Sequence, residues 1–292
     1  MERYRCVLGT AGVGGVWGKV NRMESIRTIL EALEGGIRAI DTSPSYGDAE
    51  EFAGRALREW RGDRPLVSTK VGRLKSYAPD DCRYDYSGEG MQRSVENSLK
   101  TLGLSSLDLL FLHDPAAIPQ GEAERVIGQL LEFKAKGYAQ QLGVGGNPPQ
   151  WFRPLLRKEY FDVVMEHNRL TAICIDALGD SFPFLEANGI LPYVASPLHM
   201  GLLGKRFEAF QADPPPWLEK ESLDKAIRLR QLREGRHLPL STLSHRFILS
   251  INREFRVVVG PSNPSELAAT LSDIQAGPLP DTLFKEIYGL LR

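Results

Sequence analysis

The order of apolar runs along this chain predicts a parallel α/β protein, closed most economically into a barrel and formed by residues 1–292 as one domain. Three observations carry that expectation. Short apolar runs, often β-branched, recur about eight times, with segments of helical spacing between them. Glycines stand where several of those helices would end. An open doubly wound sheet would satisfy the same alternation. The first strand-turn region, however, offers Gly9, Gly12, Gly14, Gly15 and Gly18 without a clean GxGxxG opening a helix.

In chain order, a first strand near 7–10 runs into that glycine-rich segment, which reads either as a plain turn or as a loop approached by substrate. Helical spacing over 23–34 ends at Gly35-Gly36. The run 38–40 precedes Asp41, a helix is expected over 50–60, and the run 66–69 precedes Lys70. A helix over 91–102 ends at Gly103, the run 107–112 precedes His113, and a helix over 123–136 ends at Gly137. Further strands are expected at 141–144, 162–165, 190–195 and 256–259. The segment 205–217 contains Asp213-Pro214-Pro215-Pro216, which cannot continue a helix or a central strand, and is expected as a long irregular loop of the kind that forms lids. Helical spacing resumes over 218–234.

With 292 residues, 42% of them hydrophobic and 25% charged, the chain can bury a large core. A formal charge of −1 gives no broad attraction to nucleic acid or to an anionic membrane, so small molecules are the expected partners. The densest basic run, 228–237, includes Glu234 and follows Glu219, Glu221 and Asp224, as on a solvated helix face. Cys6, Cys82 and Cys174 show neither metal-ligand spacing nor a disulfide framework, and no metal is expected. The start Met1-Glu2-Arg3-Tyr4 lacks an apolar leader, and no run of about 18 apolar residues occurs. These features predict a cytoplasmic protein, a monomer or small homo-oligomer.

Asp41, Lys70 and His113 each close an expected strand, and the C-terminal rim of a parallel barrel is where catalytic groups gather. Tyr46 follows in the turn Thr42-Ser43-Pro44-Ser45-Tyr46-Gly47. Singly, each has an ordinary role: a turn or cap for Asp41, a satisfied core histidine for His113, a packed aromatic for Tyr46. Lys70 is the exception, because an ammonium closing an apolar run needs a carboxylate, and Asp41 is the natural partner. Together the four suit a proton relay in which Lys70 lowers the pKa of Tyr46 and His113 orients a substrate oxygen.

Residues 36–47, Ser68-Thr69-Lys70 and 107–113 resemble the aldo-keto reductase superfamily over nearly the whole chain. The resemblance implies a (β/α)8 TIM barrel, a nicotinamide cofactor, and a catalytic tetrad on Asp41, Tyr46, Lys70 and His113. A narrower likeness, in Lys70-Val71-Gly72-Arg73-Leu74, Asp85-Tyr86-Ser87 with Arg93-Ser94, His113-Asp114-Pro115 and Asn168-Arg169-Leu170-Thr171, is to the L-fucose, D-threo-aldose and L-galactose dehydrogenase branch. It implies oxidation of an aldose at C1 to the lactone, with Tyr46 as general base. A general aldehyde or ketone reductase is the alternative.

The resemblance also implies cofactor contacts from Ser196, Leu198 and Gly201 after strand seven, and from Gly260, Ser262, Asn263 and Glu266 after strand eight. Relatives that use NADP often carry a lysine and an arginine where this chain has Gly260 and Glu266. A 2′-phosphate would then meet a carboxylate, so NAD is preferred, with NADP possible. Gly145-Gly146-Asn147 replaces the common Ser-Asn after strand five, and Met165 stands for the glutamine of strand six. Asn147 is therefore the candidate for the nicotinamide amide. Trp17, Tyr86 and Trp217 could stack on a sugar face. Two rivals remain: a Schiff base on Lys70, which a neighbouring Asp41 disfavours by keeping the amine charged, and a nicotinamide-binding regulatory or redox-sensing subunit.

Overall fold

The computed structural model describes residues 5–233 and 238–291. Among them, eight parallel strands pair in chain order and the last closes onto the first. They are β1 Cys6–Gly9, β2 Ala39–Asp41, β3 Leu66–Val71, β4 Leu107–His113, β5 Ala139–Gly145, β6 Val163–His167, β7 Leu191–Ala195 and β8 Arg256–Val259. Closure is made by Cys6, Val7 and Leu8 in register with Val257, Val258 and Val259. Of the two architectures that the alternation allowed, the chain adopts the (β/α)8 TIM barrel.

Period-two alternation along the strands divides the apolar residues between two concentric cores. Val7, Leu109, Phe111, Val163, Met165 and Val258 fill the barrel interior. Their alternates, such as Leu8, Ile40, Leu110 and Val164, pack outward against the helices. The interior has room for Phe111 because β5 offers a glycine opposite it. A Cβ on Gly143 would lie 2.6 Å from the Phe111 ring.

The helices α1 Arg22–Glu34, α2 Ala49–Glu59, α3 Gly88–Leu102 and α4 Ala123–Ala135 follow β1 to β4. Helix α3 starts three residues earlier than the apolar spacing suggests, because Ser87 caps it by accepting from the Gly90 amide at 3.1 Å. It ends at Gly103, whose φ of 72° is the left-handed C-cap. After β6 come the short α5 Asp176–Gly179 and α6 Ser181–Ala187.

The segment 205–217 departs from expectation. It contains helix α7, Phe207–Ala212, because Phe207 and Phe210 lie three apart and bury the same face. The irregular part begins only at Asp213, before the prolines. Helix α8, Lys220–Arg233, matches the expected helix up to Arg233, while Glu234 and the rest of the basic run to His237 lie outside the described residues, as do Met1–Tyr4. Helices α9 Leu240–Leu249, α10 Pro264–Ala276 and α11 Asp281–Gly289 complete the shell. No helix among the described residues is long and apolar enough to cross a membrane.

Candidate active site

Asp41, Lys70 and His113 reach the same rim because each lies at or near the C-terminal end of its strand. Register places Gly9 beside Asp41, Lys70 beside Phe111, and His113 beside Gly145. The strands stop there for local reasons. Gly72, at φ 112°, ends β3, and Asp114, at φ 50° with Pro115 behind it, ends β4.

Lys70 is 2% exposed, and its ammonium donates to the Asp41 carboxylate and, at 2.9 Å, to the Thr42 carbonyl. Asp41 receives a second donor from Ser68 Oγ at 2.8 Å. A buried charge pair is tolerated when its remaining valences are filled in this way. Burial by itself would lower the pKa of Lys70, but the Asp41 carboxylate and the Tyr46 phenol outweigh it and raise the pKa. Gly145 gives the lysine its path. A Cβ there would lie 3.6 Å from Lys70 Cδ and Cε, so any longer side chain would meet the stem.

Tyr46 sits in the turn after β2, with Lys70 Nζ 4.8 Å from its ring centroid and the His113 ring edge-on at 5.9 Å. Gly14 allows the β1 loop to press against this turn. Asp48 N donates to Gly14 O at 3.0 Å, and a Cβ on Gly14 would lie only 2.0 Å from Tyr46 O. Burial raises the pKa of Tyr46, while Lys70 pulls it down in the direction expected from sequence, by less than burial lifts it. The phenol has to give up its own proton before it can accept one, and Lys70 is the group that favours the phenolate.

His113 is buried, and burial holds its pKa down to about 3; Asp114 opposes that shift, while Lys70, Arg73 and His167 add to it. The ring is neutral. Ser43 Oγ lies 3.3 Å from Nδ1 and in turn accepts from the Ser45 amide at 3.1 Å. With Ser43 as donor to Nδ1, the imidazole carries its proton on Nε2.

A cleft of about 190 Å³ opens between the β1 loop, the segment after β7 and the start of α10, bordered by Gly12, Trp17, Lys205, Ser262 and Asn263 among others. Asn263 caps α10 by accepting from the Glu266 amide at 3.0 Å. Glu266 accepts from Ser262 N at 2.8 Å and pairs with Lys205 at 2.7 Å. Burial would raise the pKa of Glu266, but Lys205 and the Ser262 amide hold its carboxyl below the usual range. The carboxylate expected to face a phosphate is thus paired with Lys205, across a chain separation that local sequence does not reveal.

Ser196 (φ 56°), His199 (φ 49°), Met200 (φ 56°) and Gly201 (φ 97°) turn the segment after β7 tightly, with Leu198 O accepting from the Gly201 and Leu203 amides. His199 Nδ1 is buried without a partner among the described residues. An orphaned ring nitrogen in this tight turn after β7 suits a polar group of the nicotinamide dinucleotide that the resemblance implies. Gly260, beside Gly9 O at the mouth, leaves the approach free of side chain.

The other residues expected at the site have these surroundings. Asn147 is engaged at both ends of its amide, accepting from His167 N at 3.0 Å and donating to His167 O at 3.1 Å, so it clips the end of β6. Tyr86 is 8% exposed and donates to the carbonyls of His113 (2.7 Å) and Asp114 (3.0 Å), a structural tie. Trp217 packs edge-on against Phe210 at 5.5 Å. Trp17 borders the cleft near Ser262 under the Arg206 guanidinium, 5.1 Å from its ring. Met165 is buried in the barrel interior. Ser43, Ser68, Asp114 and Lys205 were not singled out from sequence. Ser43, Ser68 and Asp114 had a signal in their places beside Tyr46, Lys70 and His113 in the motifs, and Lys205 had none.

The family model "Aldo/keto reductase family" matches residues 5–292. Over 301 residues the chain is 27% identical to an L-galactose dehydrogenase of Arabidopsis thaliana, covering 97% of this chain and 89% of that protein. It is also 27% identical over 307 residues to a D-threo-aldose 1-dehydrogenase of Pseudomonas sp, covering 96% and 91%. A solved aldo-keto reductase from Bacillus halodurans superposes with a TM-score of 0.78 at 24% identity, over 99% of this chain and 92% of that one. With the barrel, its rim and a match along almost its whole length, the chain belongs to the aldo/keto reductase family, which makes it an NAD(P)-dependent oxidoreductase.

Proposed function

We propose that this enzyme oxidises an aldose such as L-fucose, D-arabinose or L-galactose at C1 to the lactone, with NAD preferred. One observation carries the reading: a buried Asp41–Lys70 pair beneath the Tyr46 ring, with neutral His113 set edge-on to it. The likeness to two relatives named as sugar dehydrogenases supports the substrate class.

A bound nicotinamide would supply the acceptor for the hydride that leaves C1. Tyr46 acts as general base in its phenolate form, which the Lys70 ammonium beside it stabilises, and on taking the proton of the C1 hydroxyl it becomes the neutral phenol. Asp41 and Ser68 hold Lys70 and its counter-charge in place. His113, with its proton on Nε2, donates to the same substrate oxygen and fixes which hydroxyl reacts. Ser196, Leu198, Gly201, His199, Gly260, Ser262 and Asn263 would hold the dinucleotide. Support for NAD comes from Glu266, because a 2′-phosphate would have to displace that carboxylate from both Lys205 and the Ser262 amide. We read residues 1–292 as one domain, a reading supported by closure of β8 onto β1.

The test is nicotinamide reduction followed at 340 nm with each aldose and with NAD or NADP. Turnover of one aldose is expected. Reduction of aldehydes or ketones with no aldose oxidised would overturn the substrate assignment in favour of a general carbonyl reductase.

A further inference from the structure

We propose that Asp114 is the residue by which this site selects hydroxyl-bearing substrates, its Oδ1 accepting a hydrogen bond from the hydroxyl on the carbon next to the reacting one. The inference rests on the reading that Tyr46 and His113 hold the reacting oxygen.

The carboxylate is built into place. Tyr86 fastens the carbonyls of His113 and Asp114, and the left-handed turn at Asp114 swings its side chain beside the imidazole. One oxygen is satisfied: Oδ2 receives Arg73 Nη1 at 3.3 Å and the Tyr84 hydroxyl at 3.1 Å. The other is open. Oδ1 has no donor among the described residues and lies 3.9 Å from His113 Nε2, too far for a hydrogen bond. That spacing lets the two atoms reach neighbouring oxygens of one substrate, Nε2 donating to the reacting oxygen and Oδ1 accepting from the next. Gly146 keeps the approach clear, since a Cβ there would come within 3.0 Å of Oδ1. The Asp114 side chain is 21% exposed against 6% for His113, so it opens toward the mouth.

The chemistry selected follows. The open oxygen can only accept, so an anionic substituent at that position sets acceptor against acceptor and an apolar one leaves the acceptor unmatched. It favours a neutral α-hydroxy carbonyl compound or the corresponding aldose. A hydrogen bond to a charged acceptor is worth about a 10- to 100-fold preference.

The experiment compares wild type with Asp114→Asn, which keeps the shape, tolerates a positive φ and presents an amide in place of the carboxylate. Matched pairs are an aldose against its 2-deoxy counterpart in oxidation, and glycolaldehyde against acetaldehyde in reduction. Wild type should favour the hydroxylated member at least 10-fold in kcat/KM, and D114N should reduce that ratio by 10- to 100-fold, chiefly through KM. No preference in wild type, or equal loss on both members in the variant, overturns the proposal while leaving the oxidoreductase reading intact. Absence of turnover on every substrate would instead count against the proposed substrate and tetrad roles. Titration of the cofactor-loaded protein with the same pairs by tryptophan fluorescence then decides Asp114 independently: tighter hydroxylated binding lost in D114N supports it, and indifference refutes it. Should D114N fail to fold, Tyr84→Phe, which loosens the carboxylate without touching Oδ1, should lower the preference several-fold, and an unaltered preference refutes the proposal.

Discussion

At the residue scale, the proton-transfer group and its support can be separated by substitution. Tyr46→Phe removes the hydroxyl and leaves the ring against Lys70 and His113, so kcat should fall about 10²- to 10⁴-fold while dinucleotide binding persists. Wild-type turnover in that variant would exclude Tyr46 from proton transfer. Glu266→Arg removes the carboxylate that engages Lys205 and Ser262 N and adds a cation. The ratio of kcat/KM for NADP over NAD should rise about tenfold or more, and an unmoved ratio would place 2′-phosphate selection elsewhere. His113 makes a prediction about acid. Its folded pKa of about 3 lies below the ordinary value near 6.5, so between those limits the unfolded chain binds a proton that the folded chain does not. Stability must fall as pH drops through that window. His199, held near 4 by burial, acts in the same direction. The melting temperature should therefore decline between pH 7 and pH 4.5, and less steeply in His113→Asn. Parallel declines would assign the acid sensitivity to other groups.

At the scale of elements, the site depends on small residues as much as on reactive ones. The β1 loop touches the Tyr46 turn because Gly14 has no side chain, and Gly145 on β5 leaves room for little more than a Cβ beside the Lys70 stem. Gly14→Ala places a carbon 2.0 Å from Tyr46 O, a contact relieved only by backbone movement. Such a variant should keep its far-UV circular dichroism and lose about tenfold or more in kcat, since a misplacement of about 1 Å can cost that much. Unchanged kcat would mean that the turn relaxes without carrying Tyr46 along. The glycines were visible in the sequence, but their partners, 32 and 75 residues away, were not. The same holds for Lys205 and Glu266, and for α7, whose two phenylalanines outweighed the nearby prolines in shaping 205–217.

For the molecule as a whole, the β1–β8 seam joins the two ends of the barrel. Cys6 lies on that seam and is 2% exposed, whereas Cys82 is exposed and Cys174 is intermediate; none of the three is joined in a disulfide. A thiol reagent should therefore modify Cys82 rapidly in the native protein, Cys174 slowly, and Cys6 only when denaturant opens the seam. Rapid native labelling of Cys6 would show that β1 detaches by itself.

The repeat of strand and helix was legible because burial on both faces of a parallel strand demands a continuous apolar run, and burial on one face of a helix demands a period of 3.6. Asp41, Lys70 and His113 were legible for a related reason. Each is a polar residue at the end of an apolar run, where only a rim could accept it. What tertiary structure alone decided is the state of those groups and the identity of their neighbours: the raised pKa of Tyr46, the engagement of Asn147 and Tyr86 with backbone, the pairing of Glu266 and the open oxygen of Asp114. Desolvation and hydrogen-bond geometry depend on distances between segments far apart in the chain, and those distances exist only once the barrel has closed.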